Sequence, residues 1–205
     1  MKKKIVAAAL ACVLCVGLGI GGTLAWLSAS SSDVVNTFTI GDINIKLDEA
    51  PIKTDANGNV VLDKEATRVT SINTYKMIPG TTLPKDPTAT VLAKSEDCWL
   101  FVKIVESANF DDYMTYGIAT GWTALDGNPG VYYRAEKVAY SEKDQPFGIL
   151  DKDQVTVKEG VTKSMMEEAK DNLPTLTFKA FAHQYANVDF STASEAAVEY
   201  FNKNP

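Results

Sequence analysis

The sequence is poor in histidine and in the motifs on which common enzyme classes depend. His183 is the only histidine among 205 residues, so one chain cannot supply a zinc site with two histidine ligands. A His-Glu-x-x-His motif, a glycine-rich phosphate loop and a Gly-x-Ser-x-Gly elbow are all missing. We therefore predict no catalytic residue, no metal ligand set and no cofactor, and we do not expect an enzyme.

The sequence also lacks an excess of basic residues and any enrichment of glycine or proline. It has 20 Lys and Arg against 26 Asp and Glu, a net charge of −6, which argues against a nucleic-acid partner. With 13 Gly and 8 Pro and 45% hydrophobic residues, it resembles neither collagen nor a disordered polymer. A folded globular chain is expected.

The first 25 residues have the layout of a secretory signal peptide. Lysines occupy positions 2–4, and the uncharged run at 5–20 is shorter than the ~20 residues that a membrane span needs. Small residues follow, and Thr23 and Ala25 fit the recognition positions of a signal peptidase, so we place the cut between Ala25 and Trp26.

Two alternatives to this cleavage are a cut after Ala29 and a retained membrane anchor. Cleavage after Ala25 removes three lysines and changes the net charge from −6 to −9. Such a chain is repelled by anionic lipid, so we expect no stable membrane anchor after cleavage. The C-terminal residues include no apolar tail, which disfavours attachment to the cell wall by a sortase.

Cleavage would leave Cys98 as the only cysteine, because Cys12 and Cys15 lie in the leader. A lone thiol forms no internal disulfide, so core packing must stabilise the fold. Cys98, Leu100, Val102 and Ile104 alternate with other residues and share one face of a predicted strand. We interpret Cys98 as a buried, unreactive thiol and His183 as a strand histidine, and not as a catalytic dyad.

Short β-prone runs separated by turn residues recur along the rest of the chain. Strands are predicted at 36–47, with a bend near Gly41, and at 88–92, 98–105, 131–134, 147–150, 154–158 and 175–185. Helices are predicted at 164–171 and from a capping box at Thr192 to about Phe201. This pattern predicts an all-β sandwich with one or two short helices, forming a single domain over residues 37–205 after a flexible segment at 26–36.

The sequence Asp55-Ala56-Asn57-Gly58-Asn59 predicts a hairpin turn. Its oxygen-bearing side chains also loosely match a calcium loop. The glycine stands at the fourth position and Ala66 at the twelfth, where a calcium loop needs glycine at the sixth and glutamate at the twelfth. The turn is the favoured interpretation.

Two blocks of sequence together match a known pattern. The first comprises residues 21–28 and 36–45, with Phe38 and Gly41; the second contains Pro79-Gly80, Lys85-Asp86-Pro87 and residues 99–104. They resemble the TasA and camelysin-like (CalY) family, proteins exported by Gram-positive bacteria after cleavage by a SipW-type signal peptidase. The resemblance implies a jelly-roll β-sandwich whose copies polymerise into fibres of the extracellular biofilm matrix, alone or with related subunits.

In that family, the segment freed by signal cleavage adds as a strand to a neighbouring subunit. Here the candidate donor segment is residues 26–36, with apolar side chains at Trp26, Leu27, Val34 and Val35. Main-chain bonds to an unpaired sheet edge would give affinity, and alternate side chains would give specificity. Head-to-tail donation does not close on itself, so it yields a filament.

Two other functions remain open on the sequence alone. A monomeric surface-binding or adhesion module could use exposed aromatic residues, for which the sequence offers Trp99, Phe101, Trp122, Tyr132 and Tyr133. A secreted hydrolase is the third hypothesis, because camelysin carries a metalloprotease label. The sequence contains no zinc-binding motif that would support that label.

Overall fold

A computed structural model describes residues 41–70 and 73–204. Several sequence predictions lie outside these residues. They are the signal peptide (1–25) with Thr23 and Ala25, the donor segment (26–36) with Trp26, Leu27, Val34 and Val35, and Phe38.

Short β-strands dominate the described chain. In chain order they are β1 (Ile45–Asp48), β2 (Ile52–Thr54), β3 (Val60–Leu62), β4 (Thr82–Pro84), β5 (Thr88–Val91), β6 (Cys98–Glu106), β7 (Met114–Ile118), β8 (Trp122–Ala124), β9 (Val131–Arg134), β10 (Gln145–Gly148), β11 (Leu150–Val157) and β12 (Leu176–Gln184). Three α-helices accompany them: α1 (Phe110–Tyr113), α2 (Lys163–Glu168), which continues into a 3₁₀ turn at Ala169–Asp171, and α3 (Phe190–Lys203).

The strands form three small sheets and one hairpin, and all of the pairings are antiparallel. The sheets have the orders β1-β5-β10, β4-β11-β7 and β12-β6-β9-β8, and β2 pairs with β3. The longest ladder joins β12 to β6 from Leu176–Glu106 to Gln184–Cys98. The prediction of a mostly β protein with few short helices is confirmed, and the antiparallel arrangement is consistent with a sandwich.

The main core contains side chains from all three sheets. Cys98, Leu100, Val102 and Ile104 of β6 all belong to it, so the period-two prediction for this strand is confirmed. Other members come from the facing strands, including Ala89 and Val91 of β5, Met114 of β7, and Val155 and Val157 of β11. Burial of these apolar side chains is the principal source of stability.

A second apolar cluster lies on the opposite face of β6, where α3 packs. Phe101 is fully buried against Ala193, Ala197 and Phe201 of the helix. The small alanines allow the helix to approach the sheet closely, and Phe190 adds a stacked contact with Phe101 at 6.0 Å between ring centroids. This strand is therefore covered on both faces.

The predicted start of the last helix was wrong by one turn. α3 begins at Phe190, and the Asp189 carboxylate accepts a hydrogen bond from the Thr192 amide at 2.8 Å. Asp189 is thus the N-cap, and Thr192 lies inside the first turn. Aspartate and threonine are both favoured at N-caps. The extended backbone of Asp189 (φ −74°, ψ 163°) shows that it is the N-cap here.

The Asn-Gly turn is confirmed as the connection between β2 and β3. Gly58 has φ +84°, a conformation that glycine adopts readily. The Asp55 carboxylate accepts hydrogen bonds from the amides of Asn57 (2.9 Å) and Asn59 (2.8 Å). These bonds lower the pKa of Asp55, with the Asn59 amide as the largest cause. Hydrogen bonds from the turn's own amides therefore explain why an acidic residue stands at position 55.

Several elements differ from the sequence predictions. α1, β4, β7 and β8 were not predicted, and β11 is one strand where a break before 154 was expected. The pairing of β11 with β7 moves from Leu150–Ile118 to Val155–Tyr116 across a bulge that holds Lys152 and Asp153 at positive φ. At the chain's described start, Ile43, Ile45 and Leu47 share the core face as expected. The bend predicted near Gly41 depends on residues before 41 and stays a prediction.

Candidate functional site

An apolar groove of about 570 Å³ lies between the edge strands β1, β4 and β12. Its volume falls within the ~300–1,000 Å³ typical of binding sites. The remaining walls come from residues 69–70 and 73–77, from α1 and from residues 173–175. Buried core side chains reach it from β4, β7 and β11, namely Leu83, Met114 and Val155.

The groove is bordered by a strand edge as well as by side-chain faces. Leu176, Thr177 and Phe178 are consecutive residues of β12, and all three line the groove. Because successive side chains of a strand point to opposite faces, this set indicates that the edge of β12 itself borders the groove. Within the described residues, β12 pairs only with β6, and β4 pairs only with β11. Each strand thus offers a free edge to an added strand.

The Tyr75 hydroxyl is a polar group of the groove that has no hydrogen-bond partner within residues 41–70 and 73–204. This hydroxyl is buried. The amide of Asn73, which also lines the groove, donates to the Ala50 carbonyl at 3.2 Å instead. Burial, followed by the negative charge of Glu49, raises the pKa of Tyr75. A buried hydroxyl without a hydrogen-bond partner lowers stability by about 1–3 kcal/mol. A bound ligand that forms a hydrogen bond with it would remove this penalty.

An ion pair also lines the groove. Lys85 Nζ lies 2.9 Å from Glu49 Oε2, and each side chain is only 12% exposed. The same ammonium lies over the rings of Tyr75 (5.8 Å to the centroid) and Phe178 (5.5 Å). Ion pairing and two cation–π contacts hold Lys85 in one position. The first residue of the Lys85-Asp86-Pro87 motif therefore belongs to the groove wall.

Asp86 belongs to a buried ionic network next to the groove. Its carboxylate accepts hydrogen bonds from the Ala50 amide (2.7 Å) and from Arg68 Nη1 (2.8 Å). Arg68 Nε donates to Asp48 at 2.6 Å, and its Nη2 donates to the Asp86 carbonyl and to the Thr88 hydroxyl. Arg68 thus connects β1 to the start of β5 and fixes the spacing of strands at one wall.

The charge state of this network follows from its contacts. Burial alone would raise the pKa of Asp48, but hydrogen bonds from Arg68 and Lys46 and their positive charges lower it overall. Burial alone would lower the pKa of Arg68, but the hydrogen bonds and charges of Asp48 and Asp86 raise it overall. Asp48 and Arg68 are therefore both ionised near neutral pH.

The predicted motif residues thus divide into three sets. Lys85 and Pro87 line the groove, and Asp86 supports it from the ionic network. Pro79 and Gly80 form the predicted turn, in which the Thr81 amide donates to the Ile78 carbonyl at 3.0 Å and Gly80 has φ +75°. Gly41, at the described start, lies against the Glu96 side chain. The other motif and donor residues lie before residue 41.

Glu49, Arg68 and Tyr75 were not predicted as site residues. They lie between residues 48 and 77, where the sequence shows no regular alternation, and their partners are 18 to 36 positions away in the chain. The only sequence signal for any of the three was the rarity of arginine, since Arg68 is one of two arginines in the chain.

The predicted aromatic binding surface is partly wrong. Phe101 is 0% exposed under α3, and Trp122 is 8% exposed in the main core. Trp99, Tyr132 and Tyr133 are each only partly buried. The alternation that identifies a strand face does not tell which faces another element covers, so two of the five proposed contact residues are inaccessible.

Cys98 and His183 do not face each other. Cys98 is fully buried in the main core, and burial, helped by the charge of Asp97, raises the pKa of its thiol to about 11. In the β12–β6 ladder Cys98 pairs with Gln184, and His183 pairs with Trp99. Neighbouring ladder positions point to opposite faces, so this geometry places the thiol and the imidazole on different sides of the sheet.

Residues 41–70 and 73–204 contain no group of three His, Cys, Asp or Glu side chains placed to hold a metal ion. Nor does any helix of this part of the chain have the length and apolar character to span a membrane.

Comparison of the chain with protein-family models, curated proteins and solved structures gives no match. The resemblance to the TasA and camelysin-like family therefore stays a prediction based on the motifs described above.

Proposed function

We propose that the chain is a secreted structural subunit of extracellular matrix or surface fibres, with a jelly-roll form of the antiparallel β-fold. Signal cleavage after Ala25 by a SipW-type peptidase frees residues 26–36, which add as a strand to another subunit. The protein then acts in the extracellular matrix or at the cell surface of a Gram-positive-type bacterium. The observation that supports this proposal best is the apolar groove bordered by the edge of β12 that pairs with no other strand among the described residues.

The groove and the donor segment have complementary chemistry. An added strand would satisfy backbone groups along β12 and place alternate side chains against Leu83, Met114 and Val155. Full burial of each apolar donor side chain contributes roughly 1.5–3 kcal/mol, and each new backbone bond about 0.5–1.5 kcal/mol. The four apolar residues of the segment stand at its two ends, separated by a serine-rich stretch. An extended segment would therefore make its apolar contacts at two places.

Cleavage would act as the assembly switch. Before cleavage, the segment is joined to a hydrophobic leader held by the export machinery, so it cannot reach a second molecule. After cleavage, each subunit carries one donor segment and one groove. A chain with both complementary parts assembles head to tail without closing, which produces filaments.

Electron microscopy of the mature chain, beginning at Trp26, tests the proposal. We expect filaments from this chain, none after deletion of residues 26–36, and unchanged filaments from the matched Ser31→Ala variant, which removes no apolar group. On the groove side, Leu176→Arg should abolish filaments, whereas Tyr200→Arg on the exposed part of α3 should not. Thermal unfolding of each variant confirms that it remains folded.

A binding measurement separates strand donation from other modes of assembly. A synthetic peptide of residues 26–36 should bind the truncated domain with 1:1 stoichiometry in calorimetry, and Leu176→Arg should abolish that binding. A mature chain that stays monomeric at high concentration, or filaments that persist without residues 26–36, would refute the proposal. The monomeric result would favour the adhesion-module hypothesis.

A further inference from the structure

Arg134 differs from the only other arginine of the chain in having no acidic partner. Arg68 and Arg134 are the two arginines in the sequence. Arg68 contacts two carboxylates, at 2.6 and 2.8 Å. Among the described residues, no carboxylate lies within 4.0 Å of Arg134. In the part of the chain that the structure describes, its side chain makes one hydrogen bond, a long contact of 3.5 Å from Nη1 to the Thr120 carbonyl.

Aromatic rings hold the Arg134 guanidinium in place. The guanidinium carbon lies 4.8 Å from the ring centroid of Phe147 and 5.6 Å from that of Trp122. Trp122 is directly opposite Arg134 in the β8–β9 ladder, and its indole donates to the Gly148 carbonyl at 2.8 Å. The rings come from different sheets, because Phe147 lies on β10. Their positions are thus fixed independently of Arg134.

Gly121 fits closely against the same guanidinium. A Cβ atom at this position would lie 2.4 Å from Arg134 Nη1 and 2.8 Å from both the guanidinium carbon and Nη2. Gly121 also has φ +90°, a conformation that other residues adopt only with strain. The turn therefore admits the guanidinium only because residue 121 has no side chain.

We infer that Arg134, fixed by Trp122, Phe147 and Gly121, forms a binding site for a carboxylate group. A guanidinium has five N–H donors arranged to match a carboxylate with two parallel hydrogen bonds. Stacking on rings uses the face of the guanidinium and leaves its edge donors for a ligand. Arg134 is half-buried, so a pair formed there is less weakened by water than an exposed one.

This site is separate from the groove and does not depend on fibre formation. Its carboxylate could come from a small molecule or from an acidic side chain of a second copy, since the chain carries 26 Asp and Glu. Glu136 is the acidic residue whose charge reaches Arg134, and its effect is smaller than that of burial, which lowers the pKa of Arg134. Burial therefore disfavours the unpaired charge of Arg134, and an added carboxylate would stabilise it.

Nuclear magnetic resonance of the arginine side chains tests the site directly. The chain gives only two arginine Nε–H signals, so Arg68 serves as an internal control. Titration with sodium acetate, at an ionic strength held constant with chloride, should shift the Arg134 signal in a saturable manner. We expect half-saturation on the order of 10 mM and no comparable shift for Arg68. Equal shifts of both signals, or a shift that does not saturate, would show an adventitious ion only.

Variants extend the test with the Trp122 indole N–H as the reporter. Arg134→Lys keeps the charge but loses the fork of donors, and it should weaken acetate binding about tenfold. Lys152→Gln removes one exposed charge elsewhere, since its side chain is 73% exposed, and should leave affinity unchanged. Equal loss in both variants would overturn the inference. If Arg134→Lys does not fold, the wild-type titration still decides.

A dilution series without acetate distinguishes the two sources. An Arg134 signal that changes with protein concentration, while saturable acetate binding competes with that change, identifies a carboxylate of a second copy. A signal that is independent of protein concentration, together with saturable acetate binding, identifies a free small carboxylate. Both outcomes support the carboxylate site.

Discussion

Replacing Arg68 with methionine should destabilise the fold strongly, because it leaves buried carboxylates without their main partner. The Asp48 and Asp86 side chains are only 2% and 8% exposed. Arg68 gives each of them a direct hydrogen bond and also donates to two backbone carbonyls. Methionine keeps the apolar part of the side chain and removes all of these donors.

The expected loss follows from the environment of the three side chains. Removing one partner of a fully buried ion pair costs about 3–5 kcal/mol. Arg68 is 33% exposed, so solvent screens part of the interaction, and Lys46 still pairs with Asp48. We therefore expect a loss of about 2–3 kcal/mol in the free energy of unfolding.

Urea unfolding at several pH values measures this loss and its cause. The pKa of Asp48 is lowered by folding, so its contribution to stability is present above an unfolded pKa of about 3.9 and lost as pH falls through the lower folded value. The difference between wild type and Arg68→Met should consequently shrink below about pH 4.

Two further substitutions test whether the loss comes from the unpaired carboxylates. Asp48→Asn and Asp86→Asn, added together to Arg68→Met, should recover part of the loss, because they remove the unpaired charges. A loss below about 0.5 kcal/mol, the range of ordinary surface changes, or a difference independent of pH, would refute the reasoning about this network.

Three other predictions concern single side chains. The Cys98 thiol, with its pKa raised to about 11, should react with a thiol reagent at pH 8 only after denaturation; rapid reaction in the native protein would contradict its burial. Asp189→Ala should cost about 1 kcal/mol in urea unfolding, and Thr192→Ala clearly less, since only Asp189 caps α3; the reverse order would restore the predicted capping box. Tyr75→Phe removes an orphan hydroxyl and should leave stability unchanged or raise it by up to about 1 kcal/mol, while Tyr113→Phe, whose hydroxyl donates to Met165 at 2.9 Å, should lower it by a similar amount.

Local patterns predicted the elements whose causes are local. The core-facing residues of β6 stand at alternate positions, at Cys98, Leu100, Val102 and Ile104, and the Asn57-Gly58 turn has the residue types that a hairpin requires. By contrast, β4 and β7 contain Pro84 and Gly117, residue types that are depleted in strands. The start of α3 was displaced because Asp189 and Thr192 are both good capping residues, and only backbone geometry decides between them.

The candidate site could be predicted only in part, since its contacts join distant parts of the chain. Lys85 and Asp86 were selected through a family resemblance, whereas their partners Glu49 and Arg68 were not, as nothing local marks them. The expectation that Phe101 is exposed failed for the same reason. The sequence near β6 does not reveal that α3, about 90 residues later, covers that face.

The roles of the Lys85-Asp86-Pro87 motif bear on what the family resemblance can mean. Each of its residues makes a contact that supports the fold. Lys85 pairs with Glu49, Asp86 binds Arg68 and the Ala50 amide, and the Pro87 carbonyl accepts from the Ile149 amide at 3.0 Å. These contacts would be equally necessary in a fibre subunit and in a monomeric module, because both need a stable junction between sheets. The motif therefore supports a shared scaffold, and it does not separate the two functions. What separates them is the occupant of the groove beside the motif, so the binding of residues 26–36 to that groove is the decisive measurement.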